Sequence, residues 1–178
     1  MGKMILVTGG ARSGKSSFAQ KMAEGLPGPR IYVATCPLLD DEMRSRVQRH
    51  RMDREGKGWK TVEEPVRLAA ALSGLANPGV VLVDCLTLWV NNLMHQAEQA
   101  GCGLKEEDIA RECEGVADAA ARLTGTVIMV TNEVGMGIVP ENQMARLFRD
   151  LTGRCSQTLA ARAGEVYLVS CGLPLKLK

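Results

Sequence analysis

The segment GGARSGKS, residues 9–16, sets three glycines, a lysine and a serine at the spacing G-x-x-x-x-G-K-[ST]. Phosphate chemistry asks for each of these residue types. Gly9, Gly10 and Gly14 allow a turn tight enough for successive backbone N–H groups to converge on phosphate oxygens, and a helix starting near Lys15 aims its positive end at the same point. Lys15 is long enough to reach the β and γ phosphates of a nucleoside triphosphate, and Ser16 offers a hydroxyl to Mg²⁺. A further metal contact in such sites comes from an acid at the end of a neighbouring buried strand, as Asp84 is after the apolar run VVLV. The plainer use of Asp84 is to cap the helix that follows it.

A second constellation is RSRVQRHRMDR, residues 44–54, which places His50 among Arg44, Arg46, Arg49, Arg51 and Arg54 in a chain whose net charge is only +2. Asp40 or Asp41 can cap a helix here and Glu42 suits its first turn, so Met43, Val47 and His50 would share one face. Guanidinium neighbours disfavour imidazolium and hold a histidine in its neutral, nucleophilic form. The same arginines can bind phosphate bidentately and stabilise charge that builds on phosphorus during in-line attack. His50 attacking the α-phosphate of a nucleotide held by the glycine loop would expel pyrophosphate and leave a nucleotidyl phosphoramidate. The bland readings are a solvated basic helix with a histidine at its core edge, or a helix that tracks nucleic acid. His95, in NNLMHQAEQ, reads as helix surface.

These groups need a scaffold. Apolar, β-rich runs at 4–8, 30–35, 80–84, 126–131 and 165–170 alternate with helical periodicity at 15–25, 40–54, 66–76, 86–99, 105–123 and 141–163, the last with an expected break near Gly153. Strands that are apolar throughout and separated by helices predict an α/β fold with a mostly parallel, doubly wound sheet of the P-loop NTPase kind. The closing LPLKLK, residues 173–178, alternates apolar and basic side chains after Gly172 and reads as an antiparallel edge strand. With 178 residues, 46% of them hydrophobic, residues 1–178 are expected to form a single nucleotide-binding domain.

Composition removes several function classes. Charged residues are 24% of the chain with both signs dispersed, and two Phe, two Tyr and two Trp offer little for base stacking, so nucleic acid is not an expected partner. The six cysteines show no CxxC spacing, which argues against a zinc site or a disulfide framework and for reduced thiols in a cytoplasm. No apolar stretch approaches the ~20 residues of a membrane span.

Taken together, ILVTGGARSGKS, LDDEM, QRHR, TNEVGMGIVPEN and GLPLKLK resemble the bifunctional adenosylcobinamide kinase / adenosylcobinamide-phosphate guanylyltransferase family of cobalamin biosynthesis. The resemblance covers nearly the whole chain. It implies phosphorylation of adenosylcobinamide from ATP or GTP, then transfer of GMP from GTP to adenosylcobinamide phosphate through a covalent histidine–GMP intermediate, with Mg²⁺ accompanying the nucleotide. By position, the guanylylated histidine falls on His50. Nucleotide contacts fall on Gly9, Gly10, Ala11, Arg12, Ser13, Gly14, Lys15 and Ser16, on Ala34, Thr35 and Cys36, on Arg51, Met52, Asp53 and Arg54, and on Glu63 and Asp84, with Ser16 and Asp84 as metal ligands. It also implies a homo-oligomer, expected to be a trimer, because the corrinoid is large for one small domain to enclose. Two other readings stay open on the residues alone: a plain P-loop small-molecule kinase in which His50 is structural, and a RecA-like ATPase whose basic helix tracks nucleic acid.

Overall fold

The computed structural model describes residues 2–36, 48, 52 and 54–178. Seven strands, β1 (Lys3–Thr8), β2 (Arg30–Ala34), β3 (Trp59–Glu63), β4 (Val80–Asp84), β5 (Thr126–Val130), β6 (Glu165–Ser170) and β7 (Leu173–Lys176), lie in one sheet in the order β3-β2-β4-β5-β1-β6-β7. Every neighbouring pair is parallel except β6 and β7, which pair antiparallel at the edge. Five helices are described: α1 (Lys15–Glu24), α2 (Leu68–Ser73), α3 (Leu86–Gln99), α4 (Glu106–Arg122) and α5 (Gln143–Arg162).

The apolar runs work because successive side chains leave opposite faces of a strand. Met4 and Leu6 of β1, with Val81, Val83, Val127 and Met129, face a large core built with α2 to α5. Ile5 and Val7, with Tyr32, Val80, Leu82, Ile128 and Val130, face a smaller core closed by Ala19 and Ala23 of α1. α1 leaves β1 and returns to β2, so it crosses β5 and β4 on the way, and it packs on both. That path carries the start of α1 towards the end of β4.

Two elements differ from the sequence expectation. WKTVE forms β3, an edge strand whose residues are only half-buried or exposed, so it lacks the apolar signature of the inner strands. α5 runs unbroken through Gly153: burial of Leu151, Thr152, Cys155 and Leu159 outweighs the roughly 1 kcal/mol that a helical glycine costs. The helix expected over 40–54 lies outside the described residues, apart from Gln48 and Met52, which are helical, and Arg54, which begins a turn.

The edge strand returns through a two-residue loop with Cys171 at φ 52 and Gly172 at φ 79, the backbone of a hairpin turn that matches strand twist. This loop is not remote from the rest: the Gly172 N–H donates to the Ser13 carbonyl at 2.8 Å. The C-terminal hairpin therefore buttresses the loop between β1 and α1.

Candidate functional site

Strand register brings the ends of five strands to one level. Glu63 pairs with Ala34, Ala34 with Asp84, Asp84 with Val130, and Val130 with Val7, in a row across the carboxyl edge of the sheet. At 4.7–4.9 Å per strand this row is roughly 19 Å long. The glycine loop starts two residues beyond Val7. Ligands of open α/β sheets bind at this edge.

The loop is shaped by its glycines. A β-carbon on Gly9 would lie 2.4 Å from the Val169 carbonyl oxygen and 2.6 Å from the Ser13 hydroxyl, so only hydrogen fits. Gly14 sits at φ +92 against the Cα of Gly172, a conformation that favours glycine, and immediately precedes α1. No side chain caps α1 and its first turn has no acid, so its leading N–H groups keep their polarity for an anion. Lys15 is buried and its Nζ donates back to the Gly10 carbonyl at 3.1 Å. Burial lowers its pKa, partly opposed by the Asp84 carboxylate. The ammonium thus lies folded over the loop with the acid beside it.

Asp84 is not on the strand next to β1. β5 intervenes, and the two are brought together by α1, which spans both strands. The peptide that follows Asp84 is held from the side. The buried Thr35 hydroxyl donates to the Cys85 carbonyl at 2.7 Å and accepts from the Cys85 N–H at 2.8 Å. The Thr35 carbonyl accepts from Asn92 Nδ2 at 2.8 Å, and the same amide reaches the Pro65 carbonyl at 2.9 Å. Asn92 therefore ties the ends of β2 and β3 to α3. The Asn132 N–H donates to the Thr87 hydroxyl at 2.7 Å and anchors the segment after β5 to the start of α3. Burial pushes the Cys85 thiol up to about 12, with Asp84 adding to the effect, so Cys85 is a neutral thiol at physiological pH.

At the other end of the row the site is made of side chains. Arg54 is 5% exposed, its guanidinium carbon lies 3.4 Å from the centre of the Tyr32 ring, and its buried Nη1 has no hydrogen-bond partner among the described residues. Trp59 meets Tyr32 edge-on at 6.3 Å. Burial, with the nearby Asp84 carboxylate next in weight, raises the Tyr32 phenol pKa while Arg54 lowers it. The turn from Arg54 to Trp59 is fastened to the end of α1: Arg30 Nη1 donates to the Lys57 carbonyl at 3.0 Å, and Lys57 Nζ lies 3.3 Å from Glu24 Oε1. A cavity of about 470 Å³ opens beside this turn, with Arg54, Trp59 and Thr61 in its wall.

Gly9 to Ser16, Ala34, Thr35, Cys36, Glu63 and Asp84 therefore lie at the carboxyl edge, whereas Arg54 lies over Tyr32 in the middle of β2. Thr35 takes a bracing position, since its hydroxyl is occupied by Cys85. Met52 is exposed. His50, Arg51 and Asp53 lie outside the described residues. Tyr32, Thr87 and Asn92 were not marked by any motif. For Tyr32 the only sequence signal is a tyrosine inside an apolar run, and for Thr87 and Asn92 polar residues on the inner face of α3. Ser16, half-buried in the first turn of α1, and the half-buried Asp84 are the oxygen donors that could face a cation near the loop.

This fold and loop define the class: a P-loop NTPase-like α/β protein with its glycine loop after β1. The family model for cobinamide kinase / cobinamide phosphate guanyltransferase matches residues 5–177, and the chain belongs to that family. It is 43% identical to the bifunctional adenosylcobalamin biosynthesis protein CobU of Escherichia coli, over 98% of this chain and 99% of that protein. It is equally similar to the CobU of Salmonella typhimurium, and 38% identical to the bifunctional adenosylcobalamin biosynthesis protein CobP of Pseudomonas aeruginosa over 97% of this chain and 96% of that protein.

Proposed function

We propose that this chain phosphorylates adenosylcobinamide on the hydroxyl of its aminopropanol arm, with ATP or GTP as donor, and then transfers GMP from GTP to the new phosphate. The observation that carries this reading is family membership over residues 5–177, a span that includes both the glycine loop and His50.

In the kinase step the substrate hydroxyl oxygen attacks the γ-phosphorus, the bond from the β,γ-bridging oxygen to the γ-phosphorus breaks, the nucleoside diphosphate leaves and the hydroxyl proton is lost. In the transferase step a ring nitrogen of neutral His50 attacks the α-phosphorus of GTP and pyrophosphate leaves. An oxygen of adenosylcobinamide phosphate then attacks the same phosphorus, the P–N bond breaks, and adenosylcobinamide-GDP is released. The loop N–H groups and Lys15 hold the phosphates and stabilise the charge on the transferring group. Asp84 and Ser16 fit Mg²⁺, a hard cation that takes one or two protein oxygens, substrate phosphates and waters. When bound, Mg²⁺ supplies neutralisation of phosphate charge. Arg54, and with it Arg51, Met52, Asp53, Ala34, Cys36 and Glu63, completes the nucleotide's surroundings.

The enzyme works in the cytoplasm and as a homo-oligomer, a trimer in this reading. No described helix is long and apolar enough to cross a membrane. The exposed Met136, Ile138 and Val139 on the segment after β5, and Leu173, Leu175 and Leu177 at the edge strand, support association with further copies. Light scattering of the purified protein checks the copy number.

The test of the reaction is incubation with adenosylcobinamide, Mg²⁺ and GTP, with corrinoid products separated by chromatography and weighed by mass spectrometry. Adenosylcobinamide phosphate followed by adenosylcobinamide-GDP is the expected course. Phosphate alone would favour the plain kinase with a structural His50, and neither product would sink the proposal.

A further inference from the structure

Tyr32 occupies a position that the family reaction does not by itself explain. It lies in the middle of β2, 6% exposed, on the sheet face covered by α1. Its partner in register is Leu82, so Asp84 stands two residues further along the neighbouring strand, on the same face. Diagonal neighbours of this kind lie about 7–8 Å apart, within reach of a long aromatic side chain. Arg54 lies over the ring face, its guanidinium carbon 3.4 Å from the ring centre.

We propose that Tyr32 is a positioning residue for the nucleotide site, its ring the plate that holds the Arg54 guanidinium.

Arg54 needs such a plate. It is almost fully buried, the described residues give its Nη1 no hydrogen-bond partner, and a planar guanidinium laid on an aromatic face keeps its donors in a fixed plane. Trp59, set edge-on to Tyr32 and hydrogen-bonded through its indole to Glu24 at 3.4 Å, limits rotation of the ring from the other side. One aromatic ring thus fixes where the guanidinium can sit.

The inference rests on the nucleotide-binding reading above, and GTP binding by titration calorimetry in EDTA tests it. Tyr32→Leu is expected to weaken metal-free GTP binding about tenfold, the scale of a desolvated cation–π contact, and Arg54→Ala to weaken it as much. The double variant should be no weaker than either single one. Tyr32→Phe, which keeps the ring, should retain metal-free binding within twofold. Thermal melting controls for folding, and if Tyr32→Leu does not fold, Tyr32→Met, which keeps bulk without a ring, reads the same loss.

Effects of Tyr32→Leu and Arg54→Ala that multiply in the double variant, or a Tyr32→Phe protein whose metal-free GTP binding falls as far as that of Tyr32→Leu, would overturn the assignment. Wild-type protein that binds no GTP at all would instead remove the nucleotide reading beneath it, and the proposal with it.

Discussion

The two ends of the site are built from different materials. Around β1 the cradle is backbone: Gly9, Gly14 and Gly172 bring main chain within contact distance of main chain, and the groups aimed at a ligand are N–H dipoles and one lysine. Around β2 and β3 the equivalent surface is side chain: Tyr32, Arg54 and Trp59, held by Glu24, Arg30 and Lys57. A backbone cradle cannot absorb a new atom, whereas a cluster of side chains can repack. The first end should therefore fail abruptly under small substitutions and the second by degrees.

The largest effect is expected at Lys15. Lys15→Ala should lower the rate of both phosphoryl and guanylyl transfer by about 10²–10³-fold, the scale of losing one preorganised charge-stabilising donor. Melting temperature should hold or rise, since the variant removes a buried ammonium. Gly9→Ala comes next, because its β-carbon has to displace the Val169 carbonyl. The protein should lose more than about 2 kcal/mol by denaturant titration and its GTP affinity along with it. Gly10→Ala sharpens the contrast, because no atom lies within 4 Å of the new β-carbon. Stability should stay within about 0.5 kcal/mol, so a fall in GTP affinity would report phosphate lying directly over the loop.

At the side-chain end, Trp59→Phe deletes the indole N–H that meets Glu24 at 3.4 Å but keeps an aromatic edge against Tyr32, and should cost about 1 kcal/mol or less in denaturant titration. The smallest effect belongs to acid. Hydrogen bonds from Lys3 and then Tyr167 depress Glu165 to about 2. A depressed carboxylate contributes stability above its ordinary range and loses it as pH falls towards about 2. Lys3→Met should flatten that part of the pH–stability curve, followed by thermal melting.

The same contrast governs what could be read from the sequence. The inner strands, the antiparallel edge strand and the glycine loop were legible because each has local periodicity or fixed glycine spacing. β3 was not, because an edge strand with exposed Lys60 and Thr61 carries no buried run. Nor was the separation of Asp84 from β1 by β5, since strand order is set by which helices cover which strands. The continuity of α5 through Gly153 depended on burial of Leu151 and Cys155, invisible from the glycine alone. Tyr32 and Arg54 are 22 positions apart with no motif between them; their meeting is a property of the folded turn. His50, by contrast, stands out in sequence through its arginines, and it is the residue on which the proposed histidine–GMP route depends.

The most direct test is therefore covalent. Protein mixed with Mg²⁺ and GTP labelled at the α-phosphate, without corrinoid, should retain acid-labile, alkali-stable label on wild type and none on His50→Asn. Wild-type protein that is folded and binds GTP yet takes up no label, or a His50→Asn variant labelled as strongly as wild type, would contradict the histidine–GMP route.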